Sequence, residues 1–422
     1  MIQIIVNSEM FSYDMYHISK AFYPNESYEQ VFDETSEYAV CIKGNSDAQE
    51  EFLVHQSELE NIEERKLKKR YVNLKLYDWL TAGAGKELAW GILTGVRPTK
   101  LMMSLIESGM TEDEVKVWMQ KNYRISDAKA ELGIRVAKTE KSLLDQLDYE
   151  NGYSLYIGIP FCPSICSYCS FSSYPIGLWK KRVDEYVDAV CKELSYIGAM
   201  AKQNGKKLNT VYVGGGTPTT LEAEQMDRLL THLEENFSFE DLKEITVEAG
   251  RPDSITREKL EVLKAHNIGR ISINPQTMQQ KTLHEIGRWH TVEDIKEVYA
   301  LARELGFDNI NMDLIAGLPG ETVEDMQDTL EQIKALAPDS LTVHALAMKR
   351  ASRLTKEQKE QGTVEDNTAE IAVTLSKMID LAADCAMAID LEPYYLYRQK
   401  NIAGNFENVG YAKVDKAGIY NI

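Results

Sequence analysis

Cys162, Cys166 and Cys169 lie in the run Tyr156-Ile-Gly-Ile-Pro-Phe-Cys162-Pro-Ser-Ile-Cys166-Ser-Tyr168-Cys169, spaced by three residues and then two, directly after an apolar strand. Three thiolates on one short loop can hold three corners of a four-iron, four-sulfur cube and leave the fourth iron without a protein ligand, whereas an ordinary electron-transfer cluster takes four. An open iron is a place to do chemistry. Two other readings stay open on spacing alone: a zinc site, because soft thiolates also suit zinc, and three unrelated buried thiols. Structural zinc wants a fourth Cys or His at similar spacing. No His occurs between His55 and His232, and the next cysteine, Cys191, falls in a helical stretch far from the loop.

The elements that position this loop follow from the hydrophobic pattern. From Tyr153 onward, short β-branched runs alternate with longer helical ones. Strands are expected at Leu155 to Pro160, Thr210 to Gly214, Glu244 to Glu248, Arg270 to Asn274, Asn309 to Ile315 and Leu341 to Ala345. Between them lie helical patterns at roughly 181–203, 221–236, 257–266, 281–286, 292–305 and 323–335. Short continuous apolar strands separated by crossover helices mean parallel pairing with both faces covered. The expected class is therefore α/β, a partial (β/α)6 TIM-like barrel over 151–350. An α+β accessory domain over 1–150 precedes it, and an incomplete C-terminal segment over 351–422 follows. In barrels of this kind the chemistry sits on loops at the carboxyl ends of strands.

Residues with suitable chemistry fall at those ends. Past the first strand, which carries Tyr156, come the three cysteines. After the second is Gly214-Gly215-Gly216-Thr217-Pro218, where missing β-carbons let backbone approach a ligand closely. Glu248 ends the third strand, Gln276 lies just past the fourth, Asp313 near the close of the fifth, and Ala347 past the sixth. Arg288 follows the helical pattern at 281–286. Each of these alone has a bland reading, such as a carboxylate capping a turn or an arginine on a solvated helix face. Six consecutive strand ends that each supply such a group point to a pocket.

The cysteine loop resembles the signature of the radical S-adenosylmethionine (radical SAM) enzymes. Within that superfamily, Tyr156 to Cys169 is similar to the oxygen-independent coproporphyrinogen III dehydrogenase family. Phe171, two positions after the third cysteine, and the segment Tyr397-Arg-Gln-Lys-Asn401 resemble its HemZ-type subgroup. The resemblance implies a [4Fe-4S] cluster on Cys162, Cys166 and Cys169, with S-adenosyl-L-methionine (SAM) chelating the open iron. It further implies SAM contacts from Tyr156, Gly215, Gly216, Thr217, Glu248, Gln276 and Arg288, with Asp313 at the ribose hydroxyls and Ala347 against the adenine. The implied reaction is oxidative decarboxylation of two propionates of coproporphyrinogen III to give protoporphyrinogen IX, in haem biosynthesis. The implied partners are a one-electron reductant of flavodoxin or ferredoxin type and an electron acceptor that no residue identifies.

Two positions depart from the well-known bacterial dehydrogenases: Phe171 stands where they have a further Cys, and Gly158 where they have a His. Another relative with such a Phe is a haem chaperone, and a radical SAM methyltransferase that opens haem is a third possibility, so both remain alternatives. The chaperone's His-Asn-x-x-Tyr-Trp motif has no counterpart, because the sole His-Asn pair, His266-Asn267, continues Ile-Gly-Arg-Ile.

Composition sets the outer bounds. A 422-residue chain with 44% hydrophobic and 27% charged residues suits two or three soluble domains. No eighteen-residue apolar run is present, and six cysteines with three clustered as ligands fit a reducing compartment, so the expected location is cytoplasmic. A net charge of -19 disfavours nucleic acid. It would also repel a substrate with four carboxylates, so a local cluster of cations is required. The expected substrate contacts are Arg350, Arg353, Arg398 and Lys400, with Lys349 beside them. The final residues, Gly418 to Ile422, are expected to enter a strand that a longer chain would continue.

Overall fold

The computed structural model describes residues 1–44, 51–347, 352–356, 368–398 and 406–422. The chain falls into two compact units. One comprises Met1–Ala137 with Glu365–Val373 and Leu396–Glu407, the other Lys138–Val364 with Thr374–Tyr395 and Asn408–Ile422.

In the first unit, β1 (Ile2–Val6), β2 (Tyr28–Phe32), β3 (Tyr38–Lys43) and β4 (Phe52–His55) form a sheet in the order β2-β1-β3-β4. Helix Glu9–Phe22 buries Phe11, Met15, Ile18 and Phe22, spaced four, three and four residues apart on one face. Helix Arg65–Ala84 adds Val72, Leu76 and Leu80 to the same core. The basic run Arg65 to Arg70 forms the first turns of this helix. A buried carboxylate, Glu407, is held in this unit by Lys129 Nζ at 2.5 Å and by the Trp90 indole Nε1 at 2.7 Å.

Arg398 belongs to the same assembly. Its guanidinium is 3% exposed, donates to the Leu93 carbonyl and lies 5.6 Å from the Trp90 ring centre, while its backbone N–H donates to Val96 O. Desolvation lowers its pKa to about 10. The sequence reading expects Arg398 at the substrate; in the folded chain it is buried, with Nη1 on the Leu93 carbonyl.

The second unit contains the barrel. Its strands are β5 (Gly152–Ile159), the short β6 (Phe161–Cys162) and β7 (Tyr174–Pro175), then β8 (Lys207–Gly215), β9 (Glu244–Glu248), β10 (Arg270–Ser272), β11 (Ile310–Ala316) and β12 (Ser340–Ala345). With β13 (Glu392–Arg398) and β14 (Glu407–Ala412) they give an eight-stranded sheet in the order β13-β14-β12-β11-β10-β9-β8-β5. The six from β5 to β12 in that sheet pair in parallel, each beside its predecessor, whereas β14 runs antiparallel to β12. Strand order that never reverses winds the sheet in one direction, and the result is a curled half-barrel rather than a doubly wound sheet.

The crossover helices are Val183–Gln203, Ala223–Asn236, Arg257–Ala265, Gln280–Glu285 with Val292–Glu304, and Val323–Leu336. Helix Ala223–Asn236 buries Met226, Leu229, Leu230 and Leu233, one helical face, and each such side chain contributes about 1.5–3 kcal/mol. Thr291 and Thr322 start two of these helices with reciprocal capping boxes to Asp294 and Asp325.

The chain's last residues differ from expectation. Ile419–Asn421 is one turn of 3-10 helix, because the backbone N–H of Ile419 is taken by the Glu244 carboxylate and the Tyr420 ring stacks on Tyr212 at 4.7 Å. No helix among the described residues is long and apolar enough to cross a membrane.

Candidate active site

The cysteine loop leaves β5 and is tied down at several points. β6 pairs in parallel with β7, so the strand entering the loop is joined to the segment leaving it. Inside, Ser167 N donates to Ile286 O at 2.9 Å, Ser164 Oγ to Gly287 O at 2.8 Å, and Cys169 N to Cys166 O at 3.1 Å. Tyr168 packs against Ile286, Ile315 and Leu318. The loop is thus fixed by the segment before Arg288 and by β11, two of the elements expected to supply cofactor contacts.

The glycines after β8 are needed for close approach. Gly216 N donates to Ile159 O and Thr217 N to Phe161 O, both at 2.7 Å. A β-carbon on Gly216 would stand 2.6 Å from Phe161 O and 3.0 Å from Cys162 Sγ. Gly215 has φ +112, a conformation open to glycine. The missing side chains therefore let the β8 exit wrap around the cysteine loop itself. Buried Thr217 places Oγ1 3.5 Å from Cys162 Sγ.

The three thiols differ electrostatically. Burial pushes Cys162 and Cys169 up, only partly offset by hydrogen bonds that include Ser173 in both cases. Burial acts on Cys166 too, but the charges of Arg288 and Arg251 outweigh it, so its thiol is held below the ordinary range. Cys166 is the sulfur best prepared to lose its proton to a metal. Cys162 feels the charge of Cys166, and Cys169 that of both Cys166 and Cys162, so the three share one neighbourhood. Among the described residues, no three Cys, His, Asp or Glu side chains are grouped to hold a single ion. A cube does not require that convergence, since each thiolate binds its own iron.

The remaining strand-end residues form a polar bed. Tyr212 OH donates to Glu248 Oε1 at 2.5 Å, and Tyr156 stacks on Tyr212 at 6.0 Å with its ring half exposed. Asn311 Nδ2 donates to Asp313 Oδ1 at 2.7 Å, and His344 Nε2 lies 3.9 Å from Asp313 Oδ2. Burial raises the Asp313 carboxyl, but His344, Asn311 and Thr342 outweigh it and hold it ionised. Gln276 has φ +68, the left-handed region that non-glycine residues rarely enter. It is held there by β11, through Gln276 N to Asp313 O and Ile315 N to Gln276 O, each 2.9 Å. Arg288 is 4% exposed and donates to Asn274 O. Ala347 is half-buried just past β12.

These residues fit a cluster with a bound nucleoside. Three thiols stand together, and the buried atoms Arg288 Nε and Asn274 Oδ1 have no protein hydrogen-bond partner, as groups awaiting a polar ligand would. Arg353 is exposed, and its Nη2 lies 3.8 Å from where a Gly287 β-carbon would stand, beside the cysteine loop. Arg350, Lys400 and Lys349 lie outside the described residues. Sequence reasoning missed Arg251, Asp253, Tyr212 and Tyr420. Arg251-Pro-Asp253 follows a strand exit by three residues, and that position was the available signal.

Glu248 gives a pH prediction. Burial, aided by the Asp313 charge and opposed by Tyr212, pushes its carboxyl from 4.5 up to about 7. The native state then binds this proton more tightly than the unfolded chain. Glu248 therefore favours folding at pH values below 4.5 relative to higher pH, and that advantage is lost as pH rises to about 7. The full difference is on the order of 3 kcal/mol. In cofactor-free protein, Glu248→Gln should flatten the fall of thermal midpoint across this window, and an unchanged slope would show that Glu248 does not carry it.

A cluster site at the carboxyl rim of a half-barrel is the arrangement of radical SAM proteins, and the model of the radical SAM superfamily matches residues 156–333. The oxygen-independent coproporphyrinogen-III oxidase-like protein HemZ of Bacillus subtilis (strain 168) is 44% identical over 357 residues, covering 83% of this chain and 69% of that protein. Heme chaperone HemW of the same organism is 39% identical over 194 residues, 46% of this chain and 50% of its own length. The solved coproporphyrinogen III oxidase HemN of Escherichia coli, described as a radical SAM enzyme, superposes with a TM-score of 0.52 at 26% identity. That match covers 65% of this chain and 58% of HemN, so the chain spans little more than half of HemN and half of HemW. The chain belongs to the HemZ-type subgroup of the oxygen-independent coproporphyrinogen III dehydrogenase family. Its cofactors are a [4Fe-4S] cluster and SAM.

Proposed function

We propose that this chain is an oxygen-independent coproporphyrinogen III dehydrogenase: each reacting propionate of the porphyrinogen loses a hydrogen atom from its β-carbon, then carbon dioxide, with the one remaining electron passing to an external acceptor, to leave a vinyl group. When bound, the cluster and SAM supply the one-electron chemistry that takes a hydrogen atom from an unactivated carbon. Cys162, Cys166 and Cys169 hold three corners and leave the fourth open. Ionised Asp313 offers acceptors to ribose hydroxyls, Arg288 offers a cation to a carboxylate, and the backbone around Gln276, fixed by β11, keeps that wall rigid. Tyr156, Tyr212 and Tyr420 stack on one another beside Glu248 and offer flat apolar ring faces to a macrocycle. Exposed Arg353 supplies a cation for a propionate at the rim.

The observation that carries this reading is the 44% identity to the HemZ oxidase-like protein across most of the chain. A second favours an enzyme over a chaperone. Both ring nitrogens of His266, in the sole His-Asn pair, are engaged on the outer helices, Nδ1 with Glu234 at 2.9 Å and Nε2 with Asp227 at 3.1 Å. That imidazole is not free to bind haem iron. The test is anaerobic reconstitution, then incubation with SAM, a reductant and coproporphyrinogen III, with haem in a parallel reaction. The reading predicts protoporphyrin formation. Stoichiometric haem binding without turnover would establish the chaperone instead, and a ring-opened methylated tetrapyrrole the methyltransferase.

A further inference from the structure

Arg251 stands beside the cysteine loop and is 3% exposed. Its Nη1 lies 3.6 Å from Cys166 Sγ and 3.3 Å from Ser164 O, and its Nη2 donates to Ser164 Oγ at 3.1 Å. The other side of the guanidinium is gripped by Asp253, with Nε to Oδ1 at 2.9 Å and Nη2 to Oδ2 at 2.7 Å. His290, whose side chain is 1% exposed, places Nδ1 3.8 Å from Asp253 Oδ1. The backbone is pinned as well. Arg251 opens the 3-10 turn Pro252–Ser254, and its carbonyl accepts from Ser254 N at 3.0 Å and Ser254 Oγ at 2.7 Å. A side chain fastened this firmly has one geometry to offer Cys166.

We infer that Arg251, locked by Asp253, is a positioning residue that fixes the Cys166 arm of the cysteine loop and sets the reduction potential of the cluster bound there. The inference rests on Cys166 being a cluster ligand. Reduction adds one negative charge to the cluster. A cation donating a hydrogen bond to a ligating sulfur stabilises that added charge and raises the potential. Enclosure makes the effect larger than it would be in water. Asp253 acts in the opposite sense, because its carboxylate cancels part of the guanidinium charge. The two residues therefore make opposed contributions of predictable sign. Only the planar fork of arginine can engage the carboxylate and the loop together, so lysine would keep the charge and lose the clamp.

The test is an EPR-monitored redox titration of the full chain after anaerobic reconstitution with iron and sulfide, with iron counted per chain. Arg251→Met should make reduction at least about tenfold less favourable, a potential lower by about 59 mV. Asp253→Asn should move the potential upward, and Arg251→Lys should recover part of the loss. A loop that was merely loosened would shift Arg251→Met and Asp253→Asn in the same direction, and that result overturns the inference, as does a wild-type potential in Arg251→Met. If Arg251→Met fails to retain iron, Asp253→Asn and Arg251→Lys decide by the same signs. Failure of the ligand assignment is distinguishable, since it appears as an intact cluster after loss of the Cys166 thiol.

Discussion

Cys166→Ser should abolish both the broad cluster absorption and the reductive cleavage of SAM. Of the three thiols it is the one whose proton is already loosened, by Arg288 and Arg251 acting against burial. It is also the one fixed on both sides, through Ser167 N on Ile286 O and through Arg251. A serine hydroxyl in that place would keep its proton and leave two thiolates to hold a cube that needs three. Iron per chain should fall steeply while far-ultraviolet circular dichroism stays unchanged, because the loop's backbone ties do not involve the sulfur. A fully loaded, SAM-cleaving Cys166→Ser protein would mean that the cluster is held elsewhere.

Asp313→Ala should weaken SAM binding at least about tenfold, roughly the 1.4 kcal/mol or more of a charge-assisted hydrogen bond, and leave iron content at the wild-type level. The carboxylate sits on β11, oriented by Asn311 and held ionised by His344 and Thr342. Those partners take part of its acceptor capacity, and the remainder is suited to a ribose hydroxyl. Equilibrium dialysis with SAM on reconstituted protein measures the loss, and parallel iron analysis separates it from cluster damage. Cluster loss in this variant would contradict a role at the ribose.

The barrel was legible because parallel strands buried on both faces read as continuous apolar runs. β9 begins and ends at the residues expected from that pattern, β11 is displaced by one residue, and β8 begins three residues earlier and ends one later. The placing of the candidate residues was legible for a related reason: once the strands are placed, their carboxyl ends follow, and Glu248 ends β9 and Gln276 lies just past β10, whereas Asp313 sits mid-strand in β11. What escaped was decided by burial of polar groups. Arg398 lies in an aromatic and basic segment whose composition suits a binding surface equally well as a core, and its partners Leu93 and Val96 are some three hundred residues earlier. β14 starts with Glu407 and Asn408, polar residues that are buried with Lys129, Trp90 and the Ala345 N–H among their partners. Arg251 stands one residue ahead of Pro252 in sequence, and only the folded chain brings it to Cys166.

The central claim, that three thiolates leave one iron open for SAM, is tested most directly by the EPR spectrum of the reduced, reconstituted protein with and without SAM. The account predicts a spectrum that changes on addition of SAM, because the nucleoside takes up the open iron. A reduced-cluster signal indifferent to saturating SAM would contradict it, since the fourth iron would then already be filled or out of reach.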